Sequence, residues 1–441
     1  MSRPDNAARV VITGMGLVSP LGNSPAALWD ALSSGRSGVD RISSLPLEHL
    51  TTPFAGEARE FKGEIGDFGP LDKDRQKQIR KALKLMCRET QIGVAAAQLA
   101  LSDAGLPGEA YAPERIGVVF GSDYMMTLPD EFSTGVALCR GESGQFEFTR
   151  WGGEGMSQLA PLWLLKYLPN MPASHVAIFN DLRGPSNSHT LREASSNLAI
   201  GEAAAIIQRG AADAIVAGAT GTRVHPLRSL HVMLQEQLAD GDGEPAAASR
   251  PFDLHRRGMV IGEGAGAVML ERLETAQARG AKIYGEVVGQ GSSFVATRNM
   301  VGRCDRALAN VMRSTLASAG MTPADVGHIH AHGIATKTSD RQEAAAIADV
   351  FGPLAERVPV VAAKSYFGNL GAGSGAVELI ASVLALNEGR LFRTLNYQTP
   401  DPQCPIHVVR DGDTPAGPTF LNVNVTPQGQ AGAILVRAFA G

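Results

Sequence analysis

The sequence predicts an α/β fold in which helices pack on a largely parallel sheet. Three observations carry that expectation. Apolar, β-branched runs ending in Gly or a polar residue alternate with Ala-rich stretches, those stretches stop at Gly, and one such unit recurs in the second half.

In chain order, VVITGMG (10–16), IGVVFGS (116–122), AIVAGAT (214–220), GAVMLERL (266–273), VGHIHAHG (326–333) and VPVVAAKS (358–365) read as buried strands. Between them QIGVAAAQLALSDAG, SNLAIGEAAAIIQRG and ALANVMRSTLASAG read as helices, each closed by a Gly that tolerates the left-handed conformation of a helix end. The small residues on these helices favour close approach to neighbouring backbone, so the helix that follows residue 193 is expected to be central and buried. The unit of Ala-rich helix, SDAG or ASAG stop, short linker and buried strand occurs twice. That pattern predicts a duplicated architecture with halves 1–260 and 261–441 sharing one core, because no Pro/Ser-rich linker separates them.

With 441 residues, 44% hydrophobic and 19% charged, the chain is long enough for two similar halves and too apolar for disorder. A net charge of -4 gives no reason to expect nucleic acid. Cys87, Cys139, Cys304 and Cys404 lack C-x-x-C spacing, which argues against a zinc site or a disulfide framework and fits a reduced, cytoplasmic setting. The opening MSRPDNAARVVITGMG has no long apolar core, and no stretch approaches the roughly 20 apolar residues of a membrane helix, so no membrane insertion is expected.

The stretch GPSNSHTLREASSNLAIGEAAAIIQRGAADAIVAGA (184–219) reads as a tight turn, a sharp elbow and a small-residue helix leading into a strand. An elbow of this kind normally presents a nucleophile. This one presents Glu193.

Taken together, VVITGMGLVSPLG, LRGPSNS, AIGEAAAIIQRGAADAIVAGA, RPFDLHRRGMVIGEGAGAVMLE, AHGIATKTSD and AAKSYFGNLGAGSGAVELI resemble the β-ketoacyl-acyl-carrier-protein synthases of the elongating type, over essentially the whole chain. The resemblance implies the thiolase-like fold, a five-layered αβαβα duplication that forms dimers. It places the family's nucleophilic Cys at Glu193, its first His at His332 and its second His at Asn369, with Lys364 and Glu343 as the supporting lysine and glutamate. The Phe-containing gating loop falls at NVNVTPQGQAGA, around Val425, where aromatic residues are missing and Pro427 has entered.

In the family mechanism a thiolate at a helix N-terminus takes an acyl chain from the phosphopantetheine arm of a carrier protein; no other cofactor is implied. The helix dipole would suit a carboxylate at position 193, by about 0.3 to 1 kcal/mol. A carboxylate is nevertheless a poor replacement nucleophile, since its attack on a thioester gives a less stable mixed anhydride, so acyl loading is expected to be lost. The favoured reading of Glu193 is a cap or an ion-paired side chain, with Arg192 adjacent and a partner on this chain or across a dimer interface. Asn369 still offers an N–H donor, as in the priming synthases that work with His and Asn, so His332 and Asn369 could hold an enolate oxygen for slow decarboxylation. Against this, an ionised Glu193 would repel the carboxylate of a malonyl substrate.

His328, His330 and His332 alternate along a predicted strand, a pattern compatible with metal binding, but the expected reading is two packing histidines beside a retained site residue and no metal. Lys364 and Glu343 are expected to form a structural ion pair. The helix within DKDRQKQIRKALKLMCR carries Lys73, Arg75, Lys77, Arg80, Lys81 and Lys84. In the family the matching region docks the acyl carrier protein, which is acidic; an ordinary solvated face is the other reading, and the sequence leaves both open.

Altered catalytic positions on an intact scaffold resemble the chain-length factor, the partner of a catalytic ketosynthase subunit in a heterodimer of type II polyketide or fatty-acid (including polyene) synthesis. In those partners the Cys position is commonly Gln, so Glu is a departure. The alternatives are a divergent active synthase or malonyl decarboxylase using Glu193, His332 and Asn369, and a homodimeric acyl-binding protein. The surroundings of Glu193 discriminate between them: an open pocket favours catalysis, a salt bridge favours the partner subunit.

Overall fold

The computed structural model describes residues 8–440 apart from 49, 107 and 109. Its strands are β1 Val10–Val18, β2 Val39–Arg41, β3 Phe54–Gly56, β4 Ile116–Ser122, β5 Ser186–His189, β6 Ala214–Thr222, β7 Ile261–Arg272, β8 Gly285–Phe294, β9 His328–His330, β10 Pro359–Val361, β11 His407–Val408, β12 Thr419–Val425 and β13 Gln430–Arg437. They lie in the order β11-β10-β9-β12-β13-β8-β1-β7-β6-β4-β5, with β2 and β3 attached beside β7.

The sheet is mixed, which corrects the expectation of a largely parallel one. Strands β4, β5 and β6 pair in parallel, as do β9 to β12, but β6, β7, β1, β8, β13 and β12 pair antiparallel in succession. For β12 and β13 the reason is local: only the turn 426–429 joins them, and a parallel pair needs a longer crossover. The runs at 326–333 and 358–365 are strand only over 328–330 and 359–361. Beyond those points the chain turns away toward the site described below.

The join between β1 and β8 involves only Val10, Val11 and Ile12, so the sheet is effectively two sheets meeting at that seam. Helices Ser195–Gln208 and Ser374–Glu388 lie between them, each packing on strands of both halves. Helix Arg88–Asp103 covers the outer face of the sheet that holds β1, β7 and β6, the last strand of that sheet in sequence being β7 at 261–272, and helix Cys304–Ala319 covers that of the sheet that holds β8, β13 and β12. Helix, sheet, helix, sheet, helix is the thiolase-like arrangement. The two recurring units occupy equivalent outer positions, and each ends at a left-handed glycine, Gly105 and Gly320.

Close approach explains the small residues. A Cβ at Gly375 would lie 2.3 Å from Asn424 Oδ1, and one at Gly266 would lie 2.8 Å from the backbone of Ala376. Ala199, Ala203 and Ala204 on helix Ser195–Gln208 are fully buried. Among the described residues no helix is long and apolar enough to cross a membrane. All four cysteines are free.

Candidate active site

Glu193 sits on the single turn Arg192–Ala194 that feeds helix Ser195–Gln208. The elbow is built by Arg192, whose φ of 50° lies in the left-handed region at a cost of about 1–2 kcal/mol for a residue with a side chain. Ser195 Oγ helps to hold it by accepting the Leu191 N–H at 2.8 Å. The carboxylate that results is completely buried.

Glu193 does not face an open pocket. Its Oε1 accepts from Arg223 and, at 3.1 Å, from Asn369 Nδ2, while Arg192 Nε lies 3.4 Å from Oε2. Arg223 follows directly on β6 and is itself only 2% exposed. The other side of this pair is Glu236, which accepts from Arg192 and from Arg223 Nη1 at 3.2 Å. The result is a neutral quartet of two arginines and two glutamates. Burial alone would favour the protonated acid, but Arg223 and Arg192 outweigh it and hold the Glu193 carboxyl well below the usual carboxylate range.

Asn369 is fixed through its backbone, which bonds to β7 and the residue before it through Val260 O at 2.8 Å and Gly262 N at 3.0 Å. Its Oδ1 accepts from Gly371 N and Ser374 Oγ, which orients Nδ2 toward Glu193. Two of the three sequence-predicted positions are thus in direct contact, with Glu193 as acceptor and Asn369 as donor. His332 lies two residues past β9 and is 2% exposed. Burial and the nearby Lys364 cation hold its imidazole neutral. Its Nδ1 faces two donors, Lys364 Nζ at 3.4 Å and Asn424 Nδ2 at 3.5 Å, so the proton belongs on Nε2.

The expected Lys364–Glu343 pair is not formed. Lys364 bonds to Glu378 on the second central helix and donates to His332 O at 2.7 Å. Glu343 instead accepts the backbone N–H groups of His332 and Gly333, at 2.6 and 2.8 Å. The reason is placement: Glu343 points at the backbone of the histidine loop, where free N–H groups left by the end of β9 demand an acceptor. The ammonium is left to Glu378, and Glu378 Oε2 in turn accepts from Asn424, which bonds to Asn197 on the elbow helix.

The three histidines have separate duties. His328 shares Ser382 Oγ with His330 and also contacts Ala416 O, while His330 accepts from Ala363 N. Among the described residues no three His, Cys, Asp or Glu side chains converge as metal ligands. Val425 is buried at the end of β12, and Pro427 is exposed at the tip of the following turn.

A cleft of about 760 Å³ opens elsewhere, between Met86, Met125, Met126 and Tyr167, with Glu89 and Arg228 in its wall. It is not lined by Glu193, His332 or Asn369. Glu89 accepts from Arg228 at 3.0 Å, and Asp123 lies 3.4 Å from the same nitrogen. Burial pushes the Glu89 carboxyl up to about 8, with Asp123 adding to it against the pull of Arg228. The basic helix Lys73–Ala82 contributes no residue to the lining of this cleft. Lys73, Lys77, Arg80, Lys81 and Lys84 are exposed, whereas Arg75 is half-buried and donates to Phe179 O at 3.1 Å.

Sequence reading missed Arg223, Glu236, Glu378 and Asn424. One signal was available: a charged residue immediately after a buried strand, in TGTRVHP, at the same end of the sheet as the elbow.

An elbow at the head of a central helix, faced by a histidine loop and an Asn-Gly loop from the other half, defines the acyl-transfer scaffold of the thiolase-like fold. The chain belongs to the β-ketoacyl synthase family, with residues 7–276 matching its N-terminal domain and 284–398 its C-terminal domain. It is 32% identical over 429 residues to 3-oxoacyl-[acyl-carrier-protein] synthase 2 of Staphylococcus aureus, covering 97% of both chains, and 33% identical to that of Synechocystis, covering 91% of both. Among solved structures it resembles the ishigamide ketosynthase/chain length factor, with a TM-score of 0.81 and 26% identity over 98% of this chain and 100% of that one. A type II polyketide ketosynthase in complex with its acyl-carrier protein gives a TM-score of 0.82 at 26% identity, again covering 98% and 100%.

Proposed function

We propose that this chain is a non-condensing, chain-length-factor-type subunit that pairs with a catalytic ketosynthase in acyl-chain or polyketide synthesis. One observation carries the reading: the group at the nucleophile position is a fully buried carboxylate neutralised by Arg223 and Arg192. An ionised carboxylate held in that way neither attacks a thioester nor leaves room for the carboxylate of a malonyl group. Proton transfer is equally disfavoured, because both Glu193 and His332 are held far from neutral pH.

The remaining parts serve association in this reading. The exposed cations at 77, 80 and 81 lie at helical spacing on one face, with Lys84 on the turn that follows, and present it to an acidic carrier protein, whose phosphopantetheine arm brings the acyl chain to the ketosynthase. The test is a tagged pull-down from the native host with native mass determination. A one-to-one complex with a ketosynthase that carries the elbow cysteine is expected. A homodimer that releases carbon dioxide from malonyl-carrier protein overturns the reading.

A further inference from the structure

In the non-condensing reading Glu193 removes the nucleophile, but it does not by itself account for the burial of the space around it. Its carboxylate is no larger than many side chains that tolerate a cavity beside them. What fills the space is the side chain of Arg223, which leaves the end of β6 and reaches both Glu193 and Glu236 while remaining 2% exposed. Its guanidinium and the Asn369 amide share one oxygen of Glu193, so the arginine lies against the two positions that in an active site would face the acyl carbonyl.

We propose that Arg223 is the pocket-closing residue of this subunit: it occupies the place of the acyl thioester at the elbow, and Glu193 and Glu236 are its counter-charges. This rests on the non-condensing reading above and deepens it. The order of dependence follows from electrostatics. The buried guanidinium is paired with two carboxylates, which the chain supplies from the elbow and from the segment after helix Pro226–Gln235. Arg192, on the strained elbow, restores neutrality by covering the outer side of Glu236. The Asp123 carboxylate adds to the field that keeps the Arg223 guanidinium charged.

The consequence is that a thiol introduced at the elbow would be shielded. In the E193C chain Arg223 loses one counter-charge but still has Glu236, so it stays. In E193C/R223A one charge of each sign is removed, Arg192 and Glu236 remain paired, and the elbow faces a void.

The experiment uses the full-length protein and a hexanoyl N-acetylcysteamine thioester as the probe. Attack by the elbow thiolate of the E193C variant forms a new C–S bond, breaks the old one and releases N-acetylcysteamine, which takes up the proton; acylation is read as a mass increase of the intact protein. E193C/R223A is expected to be acylated at least tenfold faster than E193C. Equal rates, or no acylation of either folded variant, overturns the proposal. If E193C/R223A is not recovered folded, E193C/R223Q replaces it, with the same two outcomes. Failure here is distinct from failure of the partner-subunit reading, which is decided by the unmodified chain and its complex.

Discussion

Arg223 and Glu193, thirty residues apart in sequence, form a buried ion pair at the mouth of the central helix, where neither side chain exposes more than 2% of its surface. Such a pair is costly to break from one side only. R223M leaves Glu193 and Glu236 with Arg192 alone, and a loss of about 3–5 kcal/mol is expected for an uncompensated buried charge. E193Q/R223M removes both charges and should recover most of that loss. Urea denaturation of the two single variants and the double variant gives the coupling energy, and simple additivity would show that the pair is not what holds the elbow.

The same logic separates Glu378 from Glu343. Because Lys364 bonds to Glu378 and Glu343 bonds to backbone, K364M and E378Q should couple strongly, whereas K364M and E343Q should come closer to additive. E343Q by itself should cost about 1–3 kcal/mol, because it leaves one backbone N–H poorly satisfied. A larger coupling for Glu343 than for Glu378 would reverse the assignment.

Glu89 gives a pH signature. Its folded pKa is raised to about 8, above the ordinary value of 4.5, so between those values the folded protein holds a proton that the unfolded chain has released. Stability from this group is therefore fully present below pH 4.5 and is lost as pH rises toward 8. E89Q mimics the protonated form and keeps an acceptor for Arg228. The stability of wild type relative to E89Q should fall between about pH 5 and 8, measured by urea midpoint at each pH. A flat profile over that range would mean that Glu89 is already ionised in the native state.

Charge reversal at the basic helix tests docking. Lys77 and Lys81 are exposed, so K77E/K81E should leave the melting temperature within a degree or two of wild type while weakening carrier-protein binding about tenfold or more at low salt. The difference should shrink as salt is added, because a Debye length of about 8 Å at physiological ionic strength screens exposed charges. Unchanged affinity would leave the helix as a solvated face.

Much of this molecule was legible from the sequence, for identifiable reasons. The helices over 88–103, 195–208 and 304–319 and the strands β4 and β6 follow from local periodicity and glycine stops, which act within a few residues. The contact of Glu193 with Asn369, and the burial of His332 beside Lys364, were legible through family resemblance, since motif order carried the three-dimensional arrangement. The partners of those residues were not. Glu378 lies on a helix whose sequence, SGAVELIASVLALNE, marks it only as an apolar core element, and Lys364 could be matched to either of two glutamates until the direction of each side chain was known. Likewise Arg192, next to Glu193, was the obvious cation, but a neighbour on a tight elbow reaches only 3.4 Å from the carboxylate, while Arg223 arrives from another strand and pairs more closely. Strand direction escaped for a similar reason, because alternation of helices and strands does not reveal that β1, β7, β8 and β13 run against their neighbours.

Glu193→Gln separates a structural glutamate from a catalytic one. Glutamine keeps the volume and an acceptor oxygen for Arg223 and Asn369 but cannot ionise, so the quartet is left with a surplus positive charge and the complex should lose some stability. Turnover is a different matter. If the ketosynthase partner performs the chemistry, the rate of product formation by the complex should stay within about twofold of wild type once both are fully folded. If Glu193 itself transfers a proton, removing it should cost about 100-fold or more. Measuring malonyl consumption and thermal stability on the same preparation keeps the two effects apart: a stability change without a rate change identifies Glu193 as the counter-charge of Arg223, and a rate collapse at unchanged stability would falsify that assignment.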